Sequence, residues 1–250
     1  MHYKFFKKII EALGFKLIDK NLVKNERLLS KHSILSTEVF LNNLFITNQI
    51  KFIIQIGAND GKRFDIINKF IKKFQTPTIL IEPIKSNFDN LKKNYSNQKN
   101  LFFENVAISV DGEISELYKV REDKISFYDN HIVGITSFDK NHLLKHGVKS
   151  KHIIKEQVNA ISIKDLINKY LIKNFDLLLI DTEGYDTKIV NDFLIKIKIR
   201  PIIIFEYIHS KHQIFSETIQ KLIESDYLLF KINENIICVP KDQKQKIKLV

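Results

Sequence analysis

Short apolar runs alternate with amphipathic segments along most of this chain. The runs are rich in Ile and Leu and end in glycine or acidic residues, which is typical of strands buried on both faces of a sheet. The pattern predicts strands over 52–56, 78–82, 101–107, 175–181 and 202–207, and helices over 64–74, 86–95, 163–170, 186–197 and 214–224. Strands that alternate with helices imply parallel pairing with right-handed crossovers.

The C-terminal part departs from this alternation. Apolar segments over 227–232 and 236–239 flank Asn233-Glu234-Asn235, which predicts an antiparallel hairpin. We therefore predict one α/β domain over 51–240, with a Rossmann-like, doubly wound, mostly parallel sheet and a C-terminal antiparallel hairpin. Residues 241–250 form a basic tail that is predicted to be disordered.

Residues 1–50 are predicted to form an N-terminal helical extension. Residues 3–18 carry apolar side chains at helical spacing with lysines between them, which predicts a basic amphipathic helix. A second helix is predicted over 37–46. Packing of the first helix on the domain or on a second subunit of a homo-oligomer is favoured over peripheral contact with anionic lipid, because the segment is short and Gly14 weakens it.

The stretch over 109–159 is less regular. It contains the turn signal Asp111-Gly112 and a polar segment over 121–130 that is predicted to be a mobile loop. Because binding residues concentrate on loops that a regular scaffold supports, we expect substrate recognition in this stretch.

Composition narrows the choice of partners and compartment. The 250 residues carry a formal net charge of +11, but the lysines are scattered along the chain, which favours a solvated surface over a nucleic-acid footprint. Cys238 is the only cysteine, which excludes an intrachain disulfide and a cysteine-rich metal site. Without a signal peptide or a long apolar run, the chain is predicted to be cytoplasmic, with membrane association only through the basic helix.

The first candidate motif is the loop Gln55-Ile56-Gly57-Ala58-Asn59-Asp60-Gly61, between a predicted strand and a predicted helix. Gly57 and Gly61 allow a tight turn and a close approach of the backbone to a ligand, although a strand-to-helix turn alone also favours glycine. The residue two positions after Gly57 is Asn59 rather than glycine. This spacing disfavours a pyrophosphate-binding loop and hence an NAD-dependent oxidoreductase.

The second candidate is Glu82, which with Pro83 follows the second predicted strand, about 20 residues after the glycine loop. A carboxylate at this place can accept hydrogen bonds from both hydroxyls of a ribose. The alternative is an acid that only stabilises the N-terminus of the next helix. The loop and Glu82 together predict a nucleoside-binding site.

The third candidate is the acidic turn, Asp181-Thr182-Glu183-Gly184-Tyr185-Asp186, which follows an apolar run. Clustered carboxylates repel one another and raise each other's pKa, so this cluster indicates a functional site. Asp181 is predicted to bind a cofactor or orient a substrate hydroxyl, and Glu183 to act as a general base. The same two acids are candidate ligands for Mg²⁺ or Mn²⁺, whereas Asp186 is predicted to cap the next helix.

The fourth candidate is the end of the strand predicted over 202–207. Glu206 and His209 lie there, at the sheet edge where open α/β folds bind ligands, and are predicted to face the substrate. Histidines of the middle stretch are predicted to be mostly solvated, without a metal-ligand spacing: His131, His142, His146 and His152.

These motifs, in this order, resemble the FkbM family of S-adenosylmethionine-dependent O-methyltransferases. The resemblance covers roughly residues 51–207, and the D-x-E-G element at 181–184 is its most specific part. Three further segments carry it: Asn105-Val106-Ala107-Ile108-Ser109, Gly134-Ile135-Thr136-Ser137-Phe138 and Phe205-Glu206. The resemblance implies a class I methyltransferase fold and S-adenosylmethionine as the methyl donor.

By position, the resemblance implies a role for each matching residue. Glu82 would hold the ribose hydroxyls, and residues 105–107 would border the adenine. Asp181 and Glu183 would face the methyl group, and which of the two is the base stays open. The complete set of implied cofactor-binding residues is Gln55, Gly57, Asn59, Gly61, Glu82, Pro83, Asn105, Val106, Ala107 and Asp181; the substrate side comprises Thr136, Ser137, Glu206 and His209.

The resemblance also implies a substrate class. Members methylate hydroxyls, often on sugars of surface glycans and glycolipids or on related natural products. The alternatives are an RNA or protein methyltransferase, which the positive charge suggests, and a non-catalytic binding protein of the same fold. The prolines leave no N/D-P-P-Y motif of amino-methylating enzymes, and the complete acidic turn argues against a disused site.

Overall fold

The computed structural model describes residues 36–63, 65–113, 115–129, 132 and 134–246. The predicted basic helix over 3–18 lies outside these residues, and so do its predicted contacts with a second subunit or a membrane. Within the described ranges, no helix is long and apolar enough to cross a bilayer.

Eleven strands occur in the described residues. In chain order they are β1 (Ile53–Ile56), β2 (Thr78–Ile81), β3 (Leu101–Glu104), β4 (Ala107–Ile108), β5 (Ser115–Val120), β6 (Ile153–Val158), β7 (Ala160–Ile161), β8 (Leu177–Ile180), β9 (Ile202–Glu206), β10 (Tyr227–Ile232) and β11 (Asn235–Pro240).

Seven of these strands form the central sheet, in the order β10-β11-β9-β8-β1-β2-β3. The five from β3 to β9 pair in parallel, so that Ile54 of β1 lies between Ile79 of β2 and Leu178 of β8. The hairpin of β10 and β11 joins the sheet antiparallel to β9. This arrangement confirms the predicted class I methyltransferase fold, a doubly wound and mostly parallel sheet with a C-terminal antiparallel hairpin.

Seven helices occur in the described residues: α1 (Thr37–Ile46), α2 (Asn68–Phe74), α3 (Lys85–Asn94), α4 (Lys140–Lys145), α5 (Ile163–Lys169), α6 (Asp186–Lys196) and α7 (His212–Glu224). Six of them cover the two faces of the central sheet, whereas α4 packs Leu143 against Val120 of β5. Ile54 and Ile56 of β1 enter the core beneath α5, α6 and α7, whereas Ile53 enters the core beneath α1, α2 and α3. Burial on both faces explains why the strands read as apolar runs.

The third strand is shorter than the predicted range of 101–107. It ends at Glu104, because the side-chain amide of Asn105 donates to the carbonyl oxygens of Glu82 and Pro83, at 2.9 Å each. These bonds turn the chain out of the sheet. The next residues form β4, which pairs in parallel with β7 in a separate two-stranded sheet.

The helix predicted over 64–74 also begins late, at Asn68. Asp65 Oδ1 accepts the backbone N–H groups of Ile67 and Asn68, at 2.9 and 3.2 Å. The residues from Asp65 to Ile67 therefore form a bend that the helical spacing of their apolar side chains does not reveal.

The middle stretch is more regular than predicted. β5 and β6 pair antiparallel, with Leu117 opposite Glu156. The predicted mobile loop over 121–130 begins with a 3-10 helix at Glu122–Phe127. The predicted disordered tail likewise begins with a 3-10 helix, at Lys241–Lys246. Short strands bounded by polar residues carry too weak a periodicity to be distinguished from loops.

Candidate active site

A cavity of about 350 Å³ lies beyond the carboxyl ends of β1, β2, β8 and β9. Most of the site residues predicted from the sequence line it: Gln55, Gly57, Asn59, Glu82, Pro83, Val106, Ala107, Thr136, Asp181, Glu183 and Glu206. Four others do not line it: Gly61, Asn105, Ser137 and His209.

The glycine loop and the acidic turn touch through their backbones. Gly57 has a φ of +83°, and a Cβ atom built on it would lie 1.8 Å from the carbonyl oxygen of Asp181. Such a gap accommodates no side chain, and the positive φ itself favours glycine. Glycine at this position therefore allows the ends of β1 and β8 to border one cavity.

Gly61 packs the loop against α3. Its φ is +65°, and a Cβ atom there would lie 2.5 Å from Leu91 Cδ1 and 2.6 Å from Tyr95 Cε2. Glycine at this position is therefore needed for the packing of the loop against α3. This is the structural role that the sequence motif allowed as an alternative to ligand binding.

Glu82 is buried at the edge of the cavity, and backbone donors hold both of its oxygens. Oε2 accepts the N–H of Asn59 at 2.9 Å, and Oε1 accepts the N–H of Ile84 at 2.9 Å. Burial raises the pKa of Glu82 to about 7, although these hydrogen bonds lower it. The carboxyl is therefore fixed in place before any ligand arrives.

Asn105 supports the wall of the cavity from behind. Its side-chain amide donates to the carbonyl oxygens of Glu82 and Pro83. The next three residues line the cavity: Val106, Ala107 and Ile108. With Leu117 of β5, these residues give this side an apolar surface suited to a flat heterocycle.

Two polar residues that the sequence analysis missed also line the cavity. Asp65 is half-buried and interacts with the side chain of Gln55, and Arg63 is held by Asp60, with 2.6 Å from Nε to Oδ2. Gln55 Oε1 is buried and has no hydrogen-bond partner among the described residues. Arg63 and Asp65 lie just after the glycine motif in the sequence and are not part of it. Their closeness to the motif is the only feature of the sequence that indicates a role in the site.

Asp186 organises the acidic turn, which corrects its prediction as a helix cap. Its carboxylate accepts the hydroxyl of Thr182 at 2.9 Å and the N–H of Gly184 at 3.2 Å. Tyr185 occupies the N-cap position of α6 without a side-chain cap. Asp186 is fully buried, and burial raises its pKa to about 6. The turn that it holds places Glu183 at a φ of +52°, which is uncommon for a non-glycine residue.

Asp181 faces into the cavity, where its side chain is open to water. Enclosure by the surrounding protein raises its pKa, and the neighbouring charges of Asp186 and Glu183 raise it further. Despite the open face, the crowding of carboxyls favours a protonated Asp181 until a positive charge enters the cavity.

Glu183 contacts a histidine that the sequence analysis predicted to be solvated. Its Oε2 lies 3.1 Å from Nε2 of His142, which is buried on α4. The backbone carbonyl of Glu183 accepts the hydroxyl of Ser137 at 2.9 Å. Ser137 therefore positions the acidic turn from behind instead of touching a substrate in the cavity.

Glu206 and His209 lie beside Glu183. His209 Nε2 is 3.5 Å from Glu206 Oε2 and 3.8 Å from Glu183 Oε2. Burial raises the pKa of Glu206 to about 9, and nearby acids, first Asp181, add to this shift. Burial also lowers the pKa of His209 to about 4, with a further contribution from His142. Near neutral pH, both shifts therefore favour the uncharged forms, a protonated Glu206 and a neutral His209.

The prediction of solvated middle histidines is wrong for His142 and His152. Both are buried, and His152 Nδ1 lies 2.7 Å from the hydroxyl of Tyr128. His131 lies outside the described residues. His142 and His146 are four residues apart, and their ring centroids lie 4.7 Å from each other.

Two groups of side chains in the described ranges could hold a metal ion. One comprises His142, His146 and His209, and the other comprises Glu183, Glu206 and His209, with ligand atoms within 4.8 Å of one another in each. Glu183 thus belongs to a group as predicted, but its predicted partner Asp181 belongs to neither.

Comparison with known proteins connects this site to a family. A profile of the methyltransferase FkbM domain matches residues 55–229. A curated relative, uncharacterized protein 90 of Sulfolobus islandicus rod-shaped virus 1, is 33% identical over 90 residues, which cover 34% of this chain and 90% of that protein.

Solved structures give similarities at low identity. The methyltransferase FkbM of Methylobacillus flagellatus KT has a TM-score of 0.45 at 11% identity, and the match covers 76% of this chain but only 44% of that one. An O-methyltransferase of Bacillus cereus in complex with S-adenosylhomocysteine has a TM-score of 0.40 at 9% identity, covering 93% and 95% of the two chains. The profile spans both the glycine loop and the acidic turn, and on this match the chain belongs to the FkbM family of S-adenosylmethionine-dependent methyltransferases.

Proposed function

We propose that the chain transfers a methyl group from S-adenosylmethionine to a hydroxyl of a sugar, in a surface glycan, a glycolipid or a related natural product. The observation that carries this proposal is the pairing of Glu183, which lines the cavity, with His142, 3.1 Å away. A carboxylate and an imidazole there can receive the proton that a hydroxyl must lose when its oxygen is methylated. We call the part of the cavity that Glu183 and Glu206 line the acidic end, and the part that the glycine loop and Glu82 line the loop end.

The loop end of the cavity fits the methyl donor. Gln55 Oε1 is a buried acceptor without a partner in the described residues, suited to the donor's ammonium group. Glu82 presents a fixed carboxyl to ribose hydroxyls, and the wall at 106–108 suits adenine. When bound, S-adenosylmethionine supplies an electrophilic methyl group on a sulfonium leaving group.

The acidic end then has to align the acceptor and take its proton. A sugar hydroxyl is a weak acid, so its oxygen attacks slowly unless a base assists. We assign the proton to the Glu183 carboxylate, with His142 Nε2 beside it. Asp181 instead faces the sulfonium, whose positive charge favours the ionised form of a carboxyl with a raised pKa. The methyl–sulfur bond breaks as the oxygen–methyl bond forms.

The charge of the acceptor end supports an uncharged acceptor. Glu183 and Glu234 line the cavity together with Glu206, and the carboxylates of Glu183 and Glu234 would repel the phosphates of a nucleic acid. A neutral sugar is compatible with such a surface, because carboxylates are good acceptors for its hydroxyl groups. This observation favours a glycan-type acceptor over RNA despite the positive net charge.

The proposal is tested in two steps. First, S-adenosylhomocysteine is added during thermal unfolding, with NAD and buffer as controls. At about 100 times its dissociation constant it should stabilise the protein by roughly 2.7 kcal/mol, whereas NAD should not. Second, methyl-labelled S-adenosylmethionine is offered with neutral glycans, RNA and protein acceptors. We expect label on glycans; label on RNA or protein alone would overturn the acceptor, and absence of cofactor binding would overturn the activity.

A further inference from the structure

Five side chains at and behind the acidic end of the cavity form two overlapping groups, and we call them together the histidine–glutamate cluster. One group is His142, His146 and His209, and the other is Glu183, Glu206 and His209; only the two glutamates line the cavity itself. The five side chains come from three separate parts of the chain: α4 and its C-terminal end, the acidic turn, and the end of β9 with the residues that follow. The proton transfer proposed above uses only His142 and Glu183.

The three imidazole rings of this cluster contact one another directly. Ring centroids lie 4.3 Å apart between His142 and His209, 4.7 Å between His142 and His146, and 5.2 Å between His146 and His209. Packing three imidazole rings together stabilises a fold no better than packing aliphatic side chains would, and three protonated rings would repel one another. A cation bound by the nitrogen atoms of all three rings would explain why they lie together.

The ligand atoms of Glu183, His142, His209 and Glu206 are separated by distances slightly larger than those in a single coordination shell. Two ligands about 2.1 Å from one cation lie roughly 2.9 to 3.4 Å apart in octahedral or tetrahedral geometry. The separations that involve Glu183 Oε2 are 3.1 Å to His142 Nε2 and 3.8 Å to His209 Nε2. His209 Nε2 lies 3.5 Å from Glu206 Oε2. Small shifts of these side chains would bring their ligand atoms around one ion.

The fold holds these ligands in place. Asp186 and Ser137 fix the turn that carries Glu183, through the hydrogen bonds described above. Gly184 packs beside His209 and has a φ of +102°, a backbone conformation that favours glycine. Such fixed support of ligands is the arrangement that a metal site requires.

We propose that the histidine–glutamate cluster binds one divalent transition-metal ion of the zinc or cobalt type. Three imidazoles with carboxylates form a donor set that prefers such ions, whereas Mg²⁺ and Ca²⁺ prefer oxygen ligands alone. The site thus differs in both residues and metal from the one predicted from the sequence, in which Asp181 and Glu183 hold Mg²⁺ or Mn²⁺.

The role of the cation rests on the proposed methyl transfer, in which it would act on the acceptor hydroxyl. Glu183 and Glu206 line the cavity, so an ion held between them would face the acceptor. A divalent cation polarises a hydroxyl that approaches it and makes its proton easier to remove. With the ion in place, Glu183 would bind it through Oε2, the oxygen that faces His142 and His209, and Oε1 would accept the proton of the acceptor hydroxyl.

The experiment uses the full chain, with any affinity tag removed and with metals stripped by a chelator. Co²⁺ is titrated and followed by its visible absorption, and Zn²⁺ is then added as a competitor; Mg²⁺ serves as the control ion. We expect one equivalent of Co²⁺ per chain, an absorption band that indicates nitrogen ligands, and displacement by Zn²⁺ but not by Mg²⁺.

Variants locate the site. His209→Gln and His142→Gln should each weaken Co²⁺ binding by about tenfold to 100-fold, whereas His212→Gln, which removes an exposed histidine at the start of α7, should leave it unchanged. Circular dichroism of each variant checks that it is folded. Binding that is unaffected by both cluster variants, or less than half an equivalent of Co²⁺ in the wild-type chain, would overturn the proposal.

Binding of S-adenosylhomocysteine to the same metal-free preparations separates this inference from the proposed function. If the cofactor product binds and Co²⁺ does not, the metal site is wrong and the methyl transfer stands. If Co²⁺ binds at the cluster and S-adenosylhomocysteine does not bind, the metal site stands and the proposed function is wrong.

Discussion

The two ends of the cavity are built in different ways. At the loop end, backbone groups determine the geometry: both oxygens of Glu82 accept backbone N–H groups, and Gly57 touches a carbonyl oxygen. At the acidic end, side chains face other side chains, as Glu183 faces His142 and Glu206 faces His209. The loop end is therefore complete without a ligand, whereas the acidic end brings together carboxyl and imidazole groups that a ligand or an ion can bind.

The difference between the two ends assigns cofactor binding to the loop end and the chemical step to the acidic end. A backbone-defined pocket recognises one molecule by shape at little cost in reorganisation, which suits a cofactor that every turnover uses. Side chains with opposed pKa shifts, such as Glu206 and His209, are the groups that can exchange protons or hold an ion. Substitutions at the two ends should therefore change different measured quantities.

The largest effect is expected from Gly57→Ala. The added Cβ meets the Asp181 carbonyl oxygen at 1.8 Å, so the ends of β1 and β8 must separate, and we expect a loss of more than about 3 kcal/mol of unfolding free energy. Gly147→Ala is the matched control, since its φ is also +83° but no described atom lies within 4 Å of its Cβ. It should cost only about 1 kcal/mol in chemical denaturation; equal losses would show that φ, rather than the contact, matters at Gly57.

The next effect is on turnover. Glu183→Gln keeps the shape of the side chain but removes its charge, and should lower kcat by about 100-fold or more, because the acceptor then loses its proton without assistance. Glu224→Gln, at an exposed position of α7, is the control. A Glu183→Gln variant with wild-type kcat would remove Glu183 from the chemistry.

A smaller effect is expected in the pH dependence of stability. Burial raises the pKa of Glu82 from 4.5 to about 7, so the folded chain binds more protons than the unfolded one in this interval. Stability from this group is present below pH 4.5 and is lost as the pH rises towards 7, by roughly 3 kcal/mol at most. Glu82→Gln does not titrate, so the stability of the wild type relative to this variant should fall over that range. A constant difference would contradict the shift.

The smallest effect is expected from Ser137→Ala. Loss of the hydrogen bond to the Glu183 carbonyl should cost about 1 kcal/mol of stability and lower kcat severalfold with little change in the KM for the methyl donor. Ser162→Ala removes the N-cap bond of α5, away from the site, at a similar cost of about 1 kcal/mol. Only the first variant should change kcat; a parallel loss in both would mean that stability, rather than position, is responsible.

The same comparison explains what the sequence could and could not predict. The loop end depends on residues that lie close together in the chain, so glycines and an acid at fixed spacing reveal it. The apolar runs likewise predict the buried strands and their parallel pairing. The turn at Asn105 was missed because its side chain bonds Glu82 and Pro83, 23 and 22 residues away. No local periodicity records such a contact.

The histidine–glutamate cluster was missed for the same physical reason. His142 and His209 are 67 positions apart and meet only because α4 packs beside the end of β9. The four-residue spacing of His142 and His146 was the one local signal, and the irregularity of the surrounding stretch obscured it. Buried strands are thus predictable from local patterns, whereas a site formed by distant side chains requires the tertiary structure.

The central claim, that the two ends of the cavity divide binding from chemistry, is tested most directly by calorimetric titration of S-adenosylhomocysteine into the wild type, Glu82→Gln and Glu183→Gln. We expect Glu82→Gln to weaken binding by about tenfold or more, since a hydrogen bond to a charged group is worth about 1.5 to 3 kcal/mol, and Glu183→Gln to stay within about threefold of the wild type. Weaker binding in Glu183→Gln with wild-type affinity in Glu82→Gln would contradict the division and the account built on it.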